Sequence, residues 1–123
     1  MSQRADLMMN RNAFQRKKMN LPDCPVETTL LFLSDKEKVL IVGYLLDGPL
    51  RPSVLQKKIG SISKNVMNSR LRELEEMNLI QRKIYEEVPP KVEYFLTDMG
   101  YSMKNVIDAI EEWGITYKNL IKS

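Results

Sequence analysis

Lys64, Asn65, Asn68, Ser69 and Arg72 fall together at helical spacing in the middle of the chain. At 100° per residue, Asn65, Asn68, Ser69 and Arg72 share one side of a helix over 63–77, with Lys64 beside them at its N-terminal end. Met67, Leu71, Leu74 and Met77 gather on the opposite side, with Val66 at the margin. Amides, a hydroxyl and a guanidinium are the groups that read base edges: Asn pairs bidentately with adenine, Arg with guanine, and Ser is permissive. Glu73, Glu75 and Glu76 are confined to the C-terminal half. A recognition helix enters the major groove by its N-terminal turns, so these carboxylates would stay clear of phosphate. The same pattern also fits an ordinary amphipathic surface helix, and the neighbouring segments must decide.

Those neighbours are basic. Arg51 precedes a short helix that ends in Lys57 and Lys58. Arg82 and Lys83 follow on a strand, and Lys91 closes a hairpin tip. These cations could hold the phosphates on either side of a groove filled by the helix. Lysine at a hairpin edge also serves simply to prevent edge-to-edge pairing, so both readings stand for the wing. The formal net charge of +3 conceals the pattern. Residues 51–83 carry eight Lys/Arg against three Glu, and residues 1–20 carry five against Asp6, while 21–50 and 93–112 are net acidic. Two basic blocks inside a near-neutral chain fit a positioned anion-binding face.

Other chemistries are poorly supplied. The 123 residues contain no His and one Cys. That removes Ser-His-Asp and Cys-His catalysis, His-containing zinc sites, and any intrachain disulfide or Cys cluster. No Gly-rich phosphate loop or carboxylate pair stands in a recognisable frame, so neither an enzyme nor a cofactor or metal site is expected. The one thiol, Cys24, sits in Asp23-Cys24-Pro25 just before a helix, where the dipole favours thiolate and Asp23 opposes it. It reads either as a redox- or electrophile-sensing thiol or as a small, part-buried packing residue.

The elements that must position these groups follow from punctuation and periodicity. Residues 1–22 form a polar, basic, Met-rich arm. Helices are expected over 26–33 and 36–46, the second apolar nearly all round and hence central, with Ser34 or Asp35 as its cap. A short helix runs from Pro52-Ser53 to Ile59 and stops at Gly60. The helix at 63–77 follows, with Ser63 as N-cap and Asn78 as C-cap. Residues 79–86 and 92–97 alternate in the strand manner, joined by Glu87-Val88-Pro89-Pro90-Lys91. Thr97 or Asp98 caps a last long helix to about Lys122. This order is a helix-turn-helix followed by a β-wing, within a mainly α fold.

On that last helix Met99, Met103, Val106, Ile110, Trp113, Tyr117 and Leu120 repeat at spacings of four and three, a heptad seam. So much apolar surface suggests a partner chain, although a helix lying across its own domain would show the same stripe. Gly114 is a candidate kink within the seam. The expected division is therefore an arm over 1–22, a DNA-binding domain over 23–97 and a dimerisation helix over 98–123. No apolar run is long enough to cross a bilayer, and no secretory h-region follows the basic start, so a cytoplasmic protein is expected.

Several segments carry a family resemblance: Cys24-Pro25-Val26-Glu27-Thr28-Thr29-Leu30, Leu46-Asp47-Gly48-Pro49, Leu71-Arg72-Glu73-Leu74-Glu75, the run from Glu87 through Pro89-Pro90 to Thr97, and Glu112-Trp113-Gly114. Over about Cys24 to Trp113 the chain resembles the HxlR-type winged helix-turn-helix regulators, distant relatives of the MarR regulators. The resemblance implies a homodimeric transcriptional regulator, repressor more readily than activator, on a pseudo-palindromic duplex operator. It implies that 63–77 is the recognition helix, that the hairpin tip is the wing, and that the first and last helices dimerise, which adds Leu30 to the seam. In part of that family the Cys matching Cys24 senses quinones, aldehydes or oxidants, so a small-molecule or electrophile effector is possible on this resemblance. A winged helix used only for protein–protein contact is the alternative.

Overall fold

The computed structural model describes residues 20–122; most of the basic arm expected over 1–22 lies outside the described residues. Four helices come first: α1 (Pro25–Leu33), α2 (Lys36–Leu45), α3 (Pro52–Ile59) and α4 (Lys64–Glu76). A hairpin of β1 (Ile80–Tyr85) and β2 (Lys91–Leu96) follows, then α5 (Asp98–Tyr101) and α6 (Lys104–Lys122). The caps explain the boundaries. The Asp35 carboxylate accepts from the Lys38 amide at 3.1 Å to start α2, and the Ser63 hydroxyl accepts from the Val66 amide at 3.1 Å to start α4. Each satisfies an amide that the first turn leaves without a partner. Pro25 and Pro52 stand in the first turns of α1 and α3, where a missing N–H costs nothing.

The core sits between α2, α3, α4 and the root of the hairpin. Ile41, Val42 and Leu45 of α2 meet Leu55 of α3, Met67, Leu71 and Leu74 of α4, and Ile80, Tyr94 and Leu96 of the sheet, all buried. The apolar stripe of α4 is thus the stripe expected from its periodicity. A Gly60 with φ 87° ends α3, a left-handed conformation that L side chains rarely adopt, and turns the chain into Ser61-Ile62 ahead of α4. The Gln56 side chain bonds the Ile62 carbonyl at 3.1 Å across that turn. The C-cap of α4 is Met77, and Asn78, expected as the cap, is the residue after it, in the left-handed region at φ 61°, from which the chain passes through Leu79 into β1.

The hairpin register pairs Ile80 with Leu96, Arg82 with Tyr94, Lys83 with Glu93, and Tyr85 with Lys91. Leu50 adds a bridge, exchanging two backbone hydrogen bonds with Tyr94 at 3.0 and 2.9 Å. That bridge draws the α2–α3 connection against the wing.

The C-terminal region departs from the expected single helix. It breaks at Ser102-Met103: the Ser102 amide bonds the Asp98 carbonyl, the Met103 amide bonds the Gly100 carbonyl, and α6 then starts afresh. The reason is packing. Met99, Met103 and Ile107 lie against the domain's own core, and Gly100 is buried against the carbonyl of Leu79. Met99 and Met103, read above as partner-facing, pack in part against the domain's own core. Gly114 does not break α6, which runs unbroken from Lys104 to Lys122. Past Ile107 the helix leaves the domain, and Trp113 and Leu120 are 66% and 70% exposed.

Candidate nucleic-acid interface

An open cleft of about 570 Å³ lies where the start of α3, the start of α4 and the wing converge. Arg51, Ser53 and Gln56 line it from α3 and its approach, Lys64 and Asn68 from α4, and Glu87 through Val92 from the wing. The Leu50–Tyr94 bridge is what brings Arg51 beside β2. The cleft therefore unites four of the residues read from sequence: Arg51, Lys64, Asn68 and Lys91. One acidic residue, Glu87, also lines it.

The reading face of α4 extends from that cleft. Lys64, Asn65, Asn68 and Arg72 are exposed and Ser69 is half-buried, while Met67, Leu71 and Leu74 face inward. Arg70, which stands in the same basic block, does something different. Its Nε lies 3.0 Å from an Asp35 oxygen and 3.9 Å from a Glu37 oxygen, and its Nη1 bonds Glu73 at 3.0 Å. Lys38 reaches the other Glu73 oxygen at 3.4 Å. This cluster ties the middle of α4 to the first turn of α2. Partial burial works against the Arg70 charge, but Asp35, Glu73 and Glu37 outweigh it and hold its pKa above the ordinary value. A solvent-facing ion pair would add little; here several half-buried charges share one cation and fix a helix–helix angle.

The wing separates two residues that are adjacent in sequence. Successive strand residues point to opposite faces. Arg82 shares a face with Tyr94 and approaches Glu75 of α4 at 3.9 Å. Lys83 lies on the other face with Tyr85, Lys91 and Glu93. Arg82 and Lys83 thus cannot grip one phosphate together. Ile84 shares the inner alternation of Ile80 yet is 59% exposed, because the strands run out beyond the helices that cover Ile80. Of the remaining expected cations, Lys57 is exposed at the end of α3, and the Lys58 ammonium sits 5.8 Å from the Tyr44 ring. Neither lines the cleft.

Sequence reasoning passed over Tyr85 and Glu93. The Tyr85 hydroxyl donates to a Glu93 oxygen at 3.0 Å, and the ring lies under two lysine ammonium groups. Counting back from the Pro-Pro tip would have paired Tyr85 with Lys91, so the signal was present. Cys24 is half-buried at the N-cap of α1, and its carbonyl accepts from the Thr28 amide at 3.0 Å. Leu30 on α1 and Ile110, Trp113, Tyr117 and Leu120 on α6 are exposed, and Val106 is half-buried. Among the described residues no helix is long and apolar enough to cross a membrane.

This geometry agrees with comparisons to known proteins. A family model described as HxlR-like helix-turn-helix matches residues 32–122. The HTH-type transcriptional regulator YdeP of Bacillus subtilis is 41% identical over 98 residues, covering 80% of this chain and 77% of that protein. An HTH-type transcriptional regulator of Methanothermobacter thermautotrophicus is 43% identical over 94 residues, covering 76% of this chain and 72% of that protein. Among solved structures, the redox regulator HypR in its reduced form superposes with a TM-score of 0.76 at 32% identity, over 80% of this chain and 98% of that one. The winged helix, the exposed polar face of α4 and these matches place the chain in the HxlR-like helix-turn-helix family of transcriptional regulators.

Proposed function

We propose that the chain acts as a homodimeric regulator, by preference a repressor, that sets α4 into the major groove of duplex DNA and rests its wing on the adjacent backbone. The observation that carries this is the cleft. It gathers Arg51, Lys64, Asn68 and Lys91 at the leading end of α4, next to a face that continues through Asn65, Ser69 and Arg72. Lysines and Arg51 supply affinity through phosphate, and the amides and Arg72 supply discrimination through base edges.

Dimerisation is supported by surface that the domain does not cover. Val26, Leu30 and Leu31 on α1 and Ile110, Trp113, Tyr117 and Leu120 on α6 are all exposed. Apolar exposure on this scale marks an interaction face. In this reading residues 20–97, together with α5 and the first turn of α6, make the DNA-binding unit, and the rest of α6 with α1 makes the seam. A two-fold pair would present two copies of α4 to successive major grooves, about 34 Å apart. Cys24 is the candidate switch: its thiol is half-buried at the start of α1, and the similar HypR is a redox regulator.

The test is selection of bound sites from random duplex DNA, followed by titration of Arg72→Ala on the selected site and on scrambled DNA. Arg72→Ala should cost about 1–3 kcal/mol on the selected site and leave scrambled DNA nearly unchanged. Equal binding by both proteins on both DNAs removes the assigned reading face. For the switch, a thiol oxidant should release the site from wild type and spare Cys24→Ser; equal release excludes Cys24.

A further inference from the structure

We propose that Tyr85 is a positioning residue of the wing, whose ring holds the ammonium groups of Lys83 and Lys91 ready for the DNA backbone. The proposal rests on the DNA-binding reading above. Its basis is one face of the hairpin. Lys83 Nζ lies 4.9 Å from the Tyr85 ring centroid and Lys91 Nζ lies 4.8 Å from it, both within cation–π range. The Tyr85 hydroxyl donates to Glu93 Oε1 at 3.0 Å, and Lys91 Nζ stands 3.7 Å from Glu93 Oε2. The register puts the four residues on one side of the hairpin, because Lys83 pairs with Glu93 and Tyr85 with Lys91.

Two like charges converging on one exposed face repel, and two lysines left free would spread apart. The ring and the Glu93 carboxylate offset that repulsion. The ring does so without consuming a hydrogen bond: it meets the ammonium electrostatically, and the N–H donors remain for phosphate oxygens. A free lysine loses much side-chain freedom when it docks on phosphate. A lysine already held against Tyr85 has lost part of it, so less is lost on binding. The Lys91–Glu93 separation is long for a charge-assisted hydrogen bond, so a phosphate oxygen can replace that carboxylate. The strand register places the ring, the hydroxyl bond to Glu93 adds to that, and the ring holds the lysines.

The experiment is anisotropy titration of the full chain on a labelled mixed-sequence duplex, repeated across a salt series. Wild type should bind with an affinity that falls steeply as salt rises. Lys83→Ala and Lys91→Ala should each weaken binding and flatten the slope of log K against log salt by about 0.9, one lost phosphate contact. Tyr85→Leu should weaken binding about three- to tenfold with the slope kept, because both charges remain. Tyr85→Phe, which restores the ring, should recover wild-type affinity to within about twofold. In the Lys83→Ala, Lys91→Ala double variant, Tyr85→Leu should have no further effect.

Three results would overturn the proposal. Tyr85→Leu binding like wild type while the lysine variants weaken would remove the positioning role and leave the DNA reading intact. Tyr85→Leu flattening the slope as much as the double lysine variant would mean that the wing itself is lost. Absence of salt-dependent duplex binding by wild type would remove the DNA reading and this proposal together.

Discussion

Replacing Gly100 with alanine should destabilise this protein strongly, against the helix propensities. A Cβ at Gly100 would stand 2.2 Å from the Leu79 carbonyl oxygen, 3.0 Å from Leu96 Cδ2 and 3.1 Å from Leu96 Cβ. A comfortable carbon–oxygen contact is about 3.3 Å or more, so something must give by about 1 Å. The Leu79 oxygen is not free to move. It accepts the Thr97 amide at 3.0 Å, and the Thr97 hydroxyl in turn donates to the Asn78 carbonyl at 2.7 Å and accepts the Gly100 amide at 3.0 Å. Relief therefore pulls α5 away and sacrifices some of these bonds, worth about 1 kcal/mol each, on top of about 1–3 kcal/mol for overpacking. The expected loss is about 3–4 kcal/mol, a fall in Tm on the order of 10–20 °C. Gly114→Ala is the control. Nothing lies within 4 Å of its added Cβ in mid-α6, so it should be neutral or stabilising by up to about 1 kcal/mol. Urea and thermal unfolding of both variants at one fixed protein concentration make the comparison. Equal stability of Gly100→Ala and wild type would refute the close approach, and with it the anchoring of α5 to Leu79.

Other outcomes follow from the same contacts. Burial raises the Tyr94 phenol above its ordinary pKa of 10.0; the stability this contributes is full below pH 10 and drains as pH climbs through the folded value. Tyr94→Phe should therefore lose stability less steeply than wild type above pH 10 in alkaline unfolding curves, and parallel curves would contradict it. Arg70→Met leaves the Asp35 and Glu73 carboxylates without their 3.0 Å cation and should cost about 1–3 kcal/mol in urea unfolding, with base preference at saturation unchanged; a shifted preference would make Arg70 a reader instead. Trp113→Glu should sediment as a monomer and bind the selected site at least about tenfold more weakly. A retained dimer mass would take α6 out of the seam.

Periodicity made α4 readable. Met67, Leu71 and Leu74 recur at the helical period, Ser63 announces the start, and what lies opposite the stripe must face out. The same logic said less at Met99 and Met103, which also pack in part against the domain's own core. Their spacing continues without interruption into Val106 and Ile110, and a sequence stripe does not distinguish a domain's own core from a partner's surface. The break at Ser102-Met103 was invisible because its cause is tertiary: Gly100 is pressed on Leu79, a residue distant in sequence. Charge counting has a similar limit. Arg70 and Arg82 contributed to the basic block that suggested DNA, yet their nearest carboxylates are Asp35 and Glu73 for one and Glu75 for the other. The Arg70 charge serves the packing of α4 against α2, whereas Arg82, 3.9 Å from Glu75 and with its side chain 51% exposed, stays open to solvent.

The joint at Asn78, Leu79, Thr97 and Gly100 connects the end of α4 to the start of the C-terminal helices. Asn78 ends the turn that follows α4, and its carbonyl takes the Thr97 hydroxyl. Leu79 stands just before β1, and its carbonyl takes the Thr97 amide and lies against Gly100. From that point α5 leads within a few residues to α6, whose start is seated on α2 with Ile107 Cγ2 3.8 Å from where a Gly43 Cβ would be. The direction in which α6 leaves the domain is therefore set by the C-terminal end of α4 and by the central helix α2. In a two-fold dimer built on α6, the spacing and tilt of the two α4 helices are fixed by this joint. If α6 forms the proposed seam, a change there would reach α4 by shifting α6 against α2 or by opening the joint. With α6 in that seam, variants that loosen the joint should lose discrimination for half-site spacing before they lose affinity for a single half-site, because the cleft is lined from α3 and its approach, α4 and the hairpin, with no residue of α5 or α6.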